Sequence, residues 1–178
     1  MDVSADSTEA VGGILSKRNI GETSRDIHTS KEVNMDIWEK LYEKARVEYH
    51  PEEVSPFVYA HHVVCAIEAE NGEIYTGFCI ESCSGVMNLC AERVAALNMY
   101  LSSGQTRVKR LIAFRDGVPS GGGSGMPCGA CREFLYQLNE ANEDMEIMVD
   151  YETRETITLM ELMPNWWGKE RCAEAKEL

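Results

Sequence analysis

The fold of this chain follows from two short stretches of its sequence, Cys90-Ala91-Glu92-Arg93 and Pro127-Cys128-Gly129-Ala130-Cys131-Arg132. Together they supply three cysteine thiols and a carboxylate that need not be a ligand. Structural zinc sites close with a fourth protein ligand, whereas catalytic sites keep one position open for water. The pattern therefore predicts one catalytic Zn²⁺ per chain with a carboxylate beside it. The predicted ligands are Cys90, Cys128 and Cys131, and the carboxylate is Glu92.

Both stretches lie where the sequence predicts the start of a helix. Apolar residues recur at helical spacing over residues 89–101, and a second helix is predicted over residues 128–139. Unpaired backbone N–H groups at a helix start favour negative charge and lower the pKa of a nearby thiol. The two helix starts are therefore suited to hold thiolates.

Glu92 is predicted to move protons. It comes two residues after the first ligand, too close in sequence to be a comfortable fourth ligand. A carboxylate beside activated water can take its proton as a general base and return protons as a general acid. The alternative is a glutamate that only complements the dipole of the first helical turn.

Two arginines lie near predicted ligands in the sequence, Arg93 three residues after Cys90 and Arg132 directly after Cys131, and either could offset the charge of the thiolates. Three thiolates around Zn²⁺ leave an excess of negative charge, which raises the pKa of bound water unless it is compensated. Arg93 and Arg132 are each placed to donate a hydrogen bond to a thiolate. The alternative for either side chain is a salt bridge at the surface.

The C-x-x-C spacing of Cys128 and Cys131 also occurs in redox proteins and in structural zinc sites. A thioredoxin-like redox pair would give Cys90 and Glu92 no role. A noncatalytic, zinc-stabilised binding domain is a further alternative, but a structural site has no need of Glu92.

The rest of the sequence predicts an α/β domain. A helix is expected from Asp36, followed by a loop between Pro51 and Pro56. Asn71-Gly72 predicts a hairpin turn between strands at 61–69 and 73–80. Later strands are predicted at 110–114, 145–149 and 156–159. A hairpin followed by alternating helices and strands indicates a mixed sheet with helices on its faces.

Domain organisation is expected to be simple. Residues 1–34 are polar and lack a sustained apolar period, which predicts a flexible N-terminal extension. Residues 35–178 are predicted to form one domain, which is long enough to bury a single sizeable core.

Charge and composition narrow the class of partner. The formal net charge of −13 argues against a nucleic-acid polymer, since such binders carry a basic patch. No apolar run is long enough to span a bilayer, and no signal-peptide pattern is present. The seven cysteines do not suggest a disulfide framework. We therefore expect a small-molecule substrate, no membrane partner, and a reducing cytoplasmic location.

The two stretches resemble the cytidine deaminase family, in the branch that has Cys as the first ligand, and the likeness extends over roughly residues 36–170. The resemblance implies a three-layer α/β/α sandwich around a five-stranded mixed sheet. It implies zinc-dependent hydrolytic deamination of cytidine, deoxycytidine or a close analogue, with release of ammonia. It also supports Arg93 as a thiolate donor and implies a homo-oligomer, either a tetramer or a dimer.

The resemblance is only partial on the sugar side of the expected substrate. Family members carry an Asn-x-Glu-Asn run whose Asn and Glu hydrogen-bond the ribose. The matching run here is Cys79-Ile80-Glu81-Ser82, which keeps Glu81 but has the poorly hydrogen-bonding Cys79 in place of Asn. The alternative for Glu81 is a solvated charge at a strand end.

Two further departures concern aromatic positions. His61 stands where the family has a Phe, so it is expected either to contact the substrate or to cap its strand. The tail Glu161-Leu162-Met163-Pro164-Asn165-Trp166-Trp167-Gly168 matches a family segment whose aromatic residue closes over the base. Trp167 is therefore expected to contact substrate, with core or interface packing as the alternative.

These departures resemble the looser pattern of blasticidin-S deaminases. The resemblance therefore leaves a second substrate class open, a cytosine-bearing nucleoside antibiotic or another aminated heterocycle.

Overall fold

The computed structural model describes residues 35–168, which form an α/β domain. Its helices are α1 (Ile37–Val47), α2 (Ala91–Ser103) and α3 (Gly129–Leu138). Its strands are β1 (Glu52–Ser55), β2 (Val58–Ala69), β3 (Ile74–Ser82), β4 (Val108–Phe114), β5 (Glu146–Asp150) and β6 (Glu155–Thr158). The extension predicted for residues 1–34 lies outside the described residues.

The sheet is mixed and has β2 near its centre. The strands β3, β2, β4, β5 and β6 lie side by side in that order, and the β4–β5 pair is parallel whereas the other pairs are antiparallel. This is the mixed five-stranded core that the sequence predicts. No helix within residues 35–168 combines the length and apolar character needed to cross a membrane.

A sixth strand, β1, lies in the segment predicted as a loop. The chain turns at Pro56 and Phe57, so Glu52 comes opposite Ala60 at the start of β2. Such short edge strands depend on a partner that the local sequence does not reveal. The sheet therefore has six strands instead of five.

The β2–β3 hairpin carries a bulge that matters for the site. Asn71 and Gly72 form its turn as predicted, with Gly72 at a φ of 86°. Farther along, the pairing of β2 with β3 shifts between Ala60 and Val64, and His61 has a left-handed φ of 62°. Successive residues of a regular strand face opposite sides. At this bulge Ala60, His61 and His62 are all buried.

Helix α1 covers one face of the sheet. It begins at Asp36, whose carboxylate accepts the Glu39 N–H at 2.8 Å, while the Glu39 carboxylate accepts the Asp36 N–H at 3.0 Å. This capping box satisfies N–H groups that a helix start leaves unpaired. The buried apolar residues of this layer are Trp38, Leu41, Ala45, Val64, Ala66, Ile112, Phe114 and Met148.

Helices α2 and α3 cover the opposite face. Cys65 and Ile67, which alternate along β2 with Val64 and Ala66, belong to this second buried cluster. Its other members include Ala91, Ala95, Ala96, Met99, Leu111, Leu135 and Ile147. The protein is therefore a three-layer α/β/α sandwich, as predicted. Both helices that begin at the cysteine stretches lie in the same layer.

Candidate metal and catalytic site

Three cysteine thiols converge where α2 and α3 begin. Cys90 and Cys128 are the N-cap residues of these helices, and Cys131 lies in the first turn of α3. The Sγ of Cys128 lies 3.6 Å from that of Cys90 and 3.5 Å from that of Cys131. Thiolates held at about 2.3 Å from a tetrahedral Zn²⁺ lie roughly 3.8 Å apart. The spacing of these sulfur atoms therefore fits Zn²⁺.

The cluster contains only these three potential ligands. All three sulfur atoms lie within 4.8 Å of one another, and no other His, Cys, Asp or Glu among the described residues joins them at that distance. A site with three protein ligands keeps a position for water or substrate, as catalytic zinc sites do. The donor set thus matches an open site better than a closed structural one.

The thiols have unequal pKa values in the protein alone. Burial, with the nearby Glu92 carboxylate, raises the pKa of Cys131 far above its ordinary value, and burial also raises that of Cys90. Burial acts in the same direction on Cys128, but the N–H and thiol of Cys131 outweigh it, and the pKa of Cys128 is lowered. Three thiolates this close repel one another. A divalent cation would permit all three to ionise, so metal binding would release protons.

Arg93 lies beside the thiols. Burial lowers the pKa of its guanidinium, but contacts with Cys90 and Cys131 outweigh burial and raise it. One terminal nitrogen, Nη2, donates to the Asn88 carbonyl at 2.9 Å, whereas the buried Nε has no hydrogen-bond partner among the described residues. A buried donor without a partner is costly. Its location makes a thiolate the obvious acceptor once the cysteines ionise.

Arg132 makes different contacts. Its Nε donates to the Pro127 carbonyl at 2.8 Å, and its Nη1 donates to the Leu162 carbonyl at 3.2 Å. These bonds tie the segment before α3 to the C-terminal segment. The hydrogen bonds of Arg132 therefore go to backbone oxygen and not to the sulfur atoms that the sequence pattern suggested.

Glu92 lies next to the cluster in the first turn of α2. It is 5% exposed, and burial raises the pKa of its carboxyl even though the Cys131 thiol and the Arg93 charge act in the opposite direction. A carboxyl with a raised pKa holds a proton more readily, which suits a group that takes up and passes on protons. The position and environment suit proton transfer beside a metal-bound ligand.

The residues expected on the sugar side lie on the same face of the sheet as α2. A Cβ added to Gly77 would point at the backbone of Ala91 and Ala95 in α2, so Cys79 and Glu81, two and four residues later on β3, share that face. Cys79 is buried and accepts the Val63 N–H at 3.1 Å. Its sulfur thus provides a hydrogen-bond acceptor for a backbone N–H at the bulge.

The structure does not bring His61 to this face. Its ring stacks on Phe78 with centroids 3.6 Å apart, and Phe78 packs with the α1 layer. Its Nδ1 lies 2.8 Å from the Glu48 carbonyl. His62 is the residue that reaches the α2 face, where it contacts Cys79 and Glu81. Sequence reasoning missed His62 because no local sequence pattern predicts the bulge between Ala60 and Val64, which determines the face of the sheet on which each histidine lies.

The two tail tryptophans share one acceptor. The indole N–H groups of Trp166 and Trp167 donate to the two carboxylate oxygens of Glu133, each at 2.9 Å. Trp166 also packs against Tyr136 with ring centroids 4.5 Å apart, whereas Trp167 is 64% exposed. Both line a cavity of about 380 Å³ together with Arg132. Of the two rings, Trp167 is the more accessible to a ligand.

Comparison with known proteins agrees with this geometry. Residues 39–143 match the family model of the cytidine and deoxycytidylate deaminase zinc-binding region. A cytidine deaminase of Sporosarcina psychrophila is 31% identical over 115 residues, which cover 65% of this chain and 81% of that protein. A blasticidin-S deaminase of Bacillus cereus is 35% identical over 79 residues, which cover 42% of this chain and 56% of that protein.

A solved structure supports the same assignment. The cytidine deaminase of Mycobacterium leprae superposes with a TM-score of 0.56 at 25% identity, and the match covers 74% of this chain and 100% of that one. The matched family region includes every residue of the three-thiol cluster. This chain therefore belongs to the cytidine and deoxycytidylate deaminase family and is a hydrolase of the deaminase type.

Proposed function

We propose that this protein hydrolyses the exocyclic amine of a free cytosine nucleoside, cytidine or deoxycytidine, to give the uracil nucleoside and ammonia. The observation that carries the proposal is the buried Glu92 carboxyl beside three converging thiols. A structural metal site gains nothing from such a carboxyl, whereas a hydrolytic site needs one to move protons.

Cys90, Cys128 and Cys131 would hold Zn²⁺, which when bound supplies a Lewis acid that lowers the pKa of water. Glu92 would take a proton from water at its carboxylate and deliver one to the ring nitrogen next to the reacting carbon. The same carboxylate would then take the remaining proton from the hydroxyl added to the reacting carbon and pass it to the departing amine. Arg93 would offset the thiolate charge through its unpartnered Nε. One water is consumed and one ammonia is released.

The charge distribution supports a small, uncharged substrate. The chain carries a formal net charge of −13. The basic stretch near β4 is neutralised, since Arg110 pairs with Glu68 and with Glu146, each at 2.7 Å. Arg107 pairs with Glu70 at 3.5 Å. A polyanion would therefore meet repulsion instead of the basic patch it needs.

A second substrate class has support of its own. The sugar side has Cys79 in the position where family members carry Asn, and the sulfur is already engaged with Val63. The similarity to a blasticidin-S deaminase is of the same order as that to the cytidine deaminases. A cytosine-bearing nucleoside antibiotic is therefore the alternative substrate.

Ammonia release from millimolar cytidine, deoxycytidine and blasticidin S tests the proposal. Zinc-loaded wild-type protein should turn over at least one of the two nucleosides. The Glu92→Ala variant should lose all but about one part in a thousand of this activity while its zinc content stays at one per chain. Zinc-bound wild-type protein without turnover on any of them would contradict the proposal and favour a noncatalytic zinc domain.

We further propose that the protein works as a homo-oligomer, a dimer or a tetramer, in the reducing cytoplasm. Helix α2 exposes Leu97, Tyr100 and Leu101, the last of which is 83% exposed. Apolar side chains grouped on one helix are typical of a contact surface. All six cysteines within the described residues are free thiols. Light scattering on the purified protein should give a mass of two or four chains.

A further inference from the structure

His62 is a buried imidazole that links the two residues expected on the sugar side. It is 5% exposed. Its Nε2 lies 3.1 Å from Glu81 Oε1, and its Nδ1 lies 3.2 Å from Cys79 Sγ. The ring of Tyr59 stacks on it with centroids 4.8 Å apart. Packing and polar contacts thus fix the imidazole from three sides.

The β2 bulge creates this arrangement. The register of β2 against β3 shifts between Ala60 and Val64, and the left-handed His61 redirects the chain at that point. Regular alternation from Val64 and Cys65 would place His62 on the α1 side of the sheet and His61 on the α2 side. Here His61 turns towards Phe78, and His62 turns towards Cys79. A residue held in the left-handed region at a cost often marks a functional constraint.

The donor and acceptor roles of Cys79, His62 and Glu81 are compatible with one another. Burial raises the pKa of the Cys79 thiol, so Cys79 keeps its S–H, which can donate to Nδ1 of His62 while the sulfur accepts the Val63 N–H. In this arrangement Nδ1 of His62 is the acceptor and Nε2 is the donor to Glu81. Each polar atom of the set has a complementary partner.

Glu81 is left with one engaged and one available oxygen. His62 binds Oε1, and the Glu81 side chain is still 59% exposed. It lines an open cavity of about 310 Å³ together with Glu53 and Tyr59. A carboxylate on an exposed strand end samples several rotamers, and a fixed donor removes that freedom before a ligand arrives. The available oxygen can then accept one hydroxyl group.

We propose that His62 is a specificity-determining positioning residue, which holds Glu81 ready to accept a sugar hydroxyl in place of the asparagine that Cys79 replaces. This inference rests on the proposed nucleoside deamination. On this proposal the sugar is held by one oriented acceptor, the Glu81 carboxylate, instead of by an asparagine amide together with a carboxylate. Substrates that donate a hydroxyl or an ammonium hydrogen at this place are favoured over those that present an anion.

The test compares His62→Ala and His62→Gln in the zinc-loaded protein. KM and kcat are measured with cytidine and with 2′,3′-dideoxycytidine, which lacks the 2′ and 3′ hydroxyls of the sugar. Loss of an oriented hydrogen bond should raise the KM for cytidine about tenfold in His62→Ala, with kcat within about twofold. His62→Gln, whose amide can still donate to Glu81, should recover most of this loss. Neither variant should change the KM for dideoxycytidine.

Glu43→Gln is the matched control, because it removes an exposed carboxylate from α1, on the face of the sheet opposite to Glu81. It should leave both substrates unaffected. An unchanged KM for cytidine in His62→Ala, or an equal loss with both substrates, would overturn the inference. An inactive wild-type protein that also fails to bind cytidine would instead overturn the proposed function, so the two failures are distinguishable. Thermal unfolding of each variant verifies that it is folded.

Discussion

Gly77 of β3 lies directly against Ala95 of α2, so close that a Cβ at position 77 would stand 2.3 Å from the Ala95 nitrogen. The same Cβ would lie 2.5 Å from the carbonyl oxygen of Ala91, the residue that follows the first predicted zinc ligand. Only glycine permits this approach between strand and helix backbone. The contact sets the distance from the sheet to the start of α2, and hence the location of Cys90.

Gly77→Ala should therefore destabilise the protein by about 3 kcal/mol or more, because both obstructing atoms belong to a helix backbone that cannot rotate aside. The free energy of unfolding in urea measures this. Gly117→Ala is the control, since its added Cβ would meet no atom within 4 Å and its backbone is not left-handed. That variant should stay within about 0.5 kcal/mol of wild type. Equal stability of the two variants would show that the approach is not tight.

Zinc content should depend on the three-thiol cluster. Cys131→Ser removes a thiolate from the site and should reduce bound zinc from one per chain to nearly none after dialysis. Cys83→Ser is the control, because Cys83 is an exposed thiol outside the cluster, and it should retain one zinc. Elemental analysis by mass spectrometry gives the ratio.

A second control concerns the other group of potential ligands. His50, Glu52 and His61 also bring ligand atoms within 4.8 Å of one another. His50→Ala should keep one zinc per chain if the thiols hold the ion. Zinc that persists in Cys131→Ser but is lost in His50→Ala would place the metal at the histidines and contradict the assignment.

The ionised carboxylate of Asp36 should stabilise the fold at pH values above its unfolded pKa. Burial raises the pKa of this carboxyl, but the Glu39 N–H and the Arg154 guanidinium outweigh it, so the pKa is lowered. A group with a lowered folded pKa stabilises above its unfolded pKa of about 3.9, and this stability is lost as pH falls through the folded pKa. Asp36→Asn keeps a capping oxygen but loses the charge paired with Arg154 at 2.8 Å.

A double-mutant cycle of Asp36→Asn with Arg154→Gln isolates that pair. Because both side chains are partly exposed, the coupling free energy should be only about 0.5 kcal/mol at pH 7. It should disappear as the pH falls through the folded pKa of Asp36, which lies below the ordinary value. A coupling that persists in acid would mean that the carboxylate charge is not its source. Urea unfolding across the pH range provides the data.

Glu133 should hold the C-terminal aromatic segment. Glu133→Ala removes the acceptor shared by the Trp166 and Trp167 indoles, so both rings should become more accessible to acrylamide quenching. Trp38 is a buried residue of α1 and supplies a constant background. Glu133→Gln keeps one carbonyl oxygen and should give an intermediate effect. Quenching in Glu133→Ala equal to that of wild type would show that other contacts hold the segment.

Much of the fold could be predicted because its signals are local. Asn71-Gly72 specifies its turn through a left-handed glycine, and Gly72 indeed has a φ of 86°. Helices α2 and α3 begin at the cysteine stretches, as the apolar periodicity indicates. The alternation of Val64 and Cys65 between two cores follows from the period of a strand. In each case the determining residues are neighbours in sequence.

Contacts between distant segments could not be predicted in the same way. The start of β2 pairs with β1 on one side and with β3 on the other. The β2–β3 pairing contains a bulge that no sequence pattern near His61 predicts. The bulge reverses the faces that regular alternation from Val64 and Cys65 would give, so His61 lies on the α1 side and His62 on the α2 side. Arg132 likewise finds the Leu162 carbonyl, which belongs to the C-terminal segment.

The sequence by itself determined the reactive groups of the site, which are three thiols and a carboxylate, each at the start of a helix. Spacing within one or two turns of chain sufficed for that, because helix geometry is local. The tertiary structure decided which strand side chains lie on the same face of the sheet as these groups, since a one-residue change of register moves a strand residue to the other face. That is why His62, and not His61, comes to lie beside Glu81.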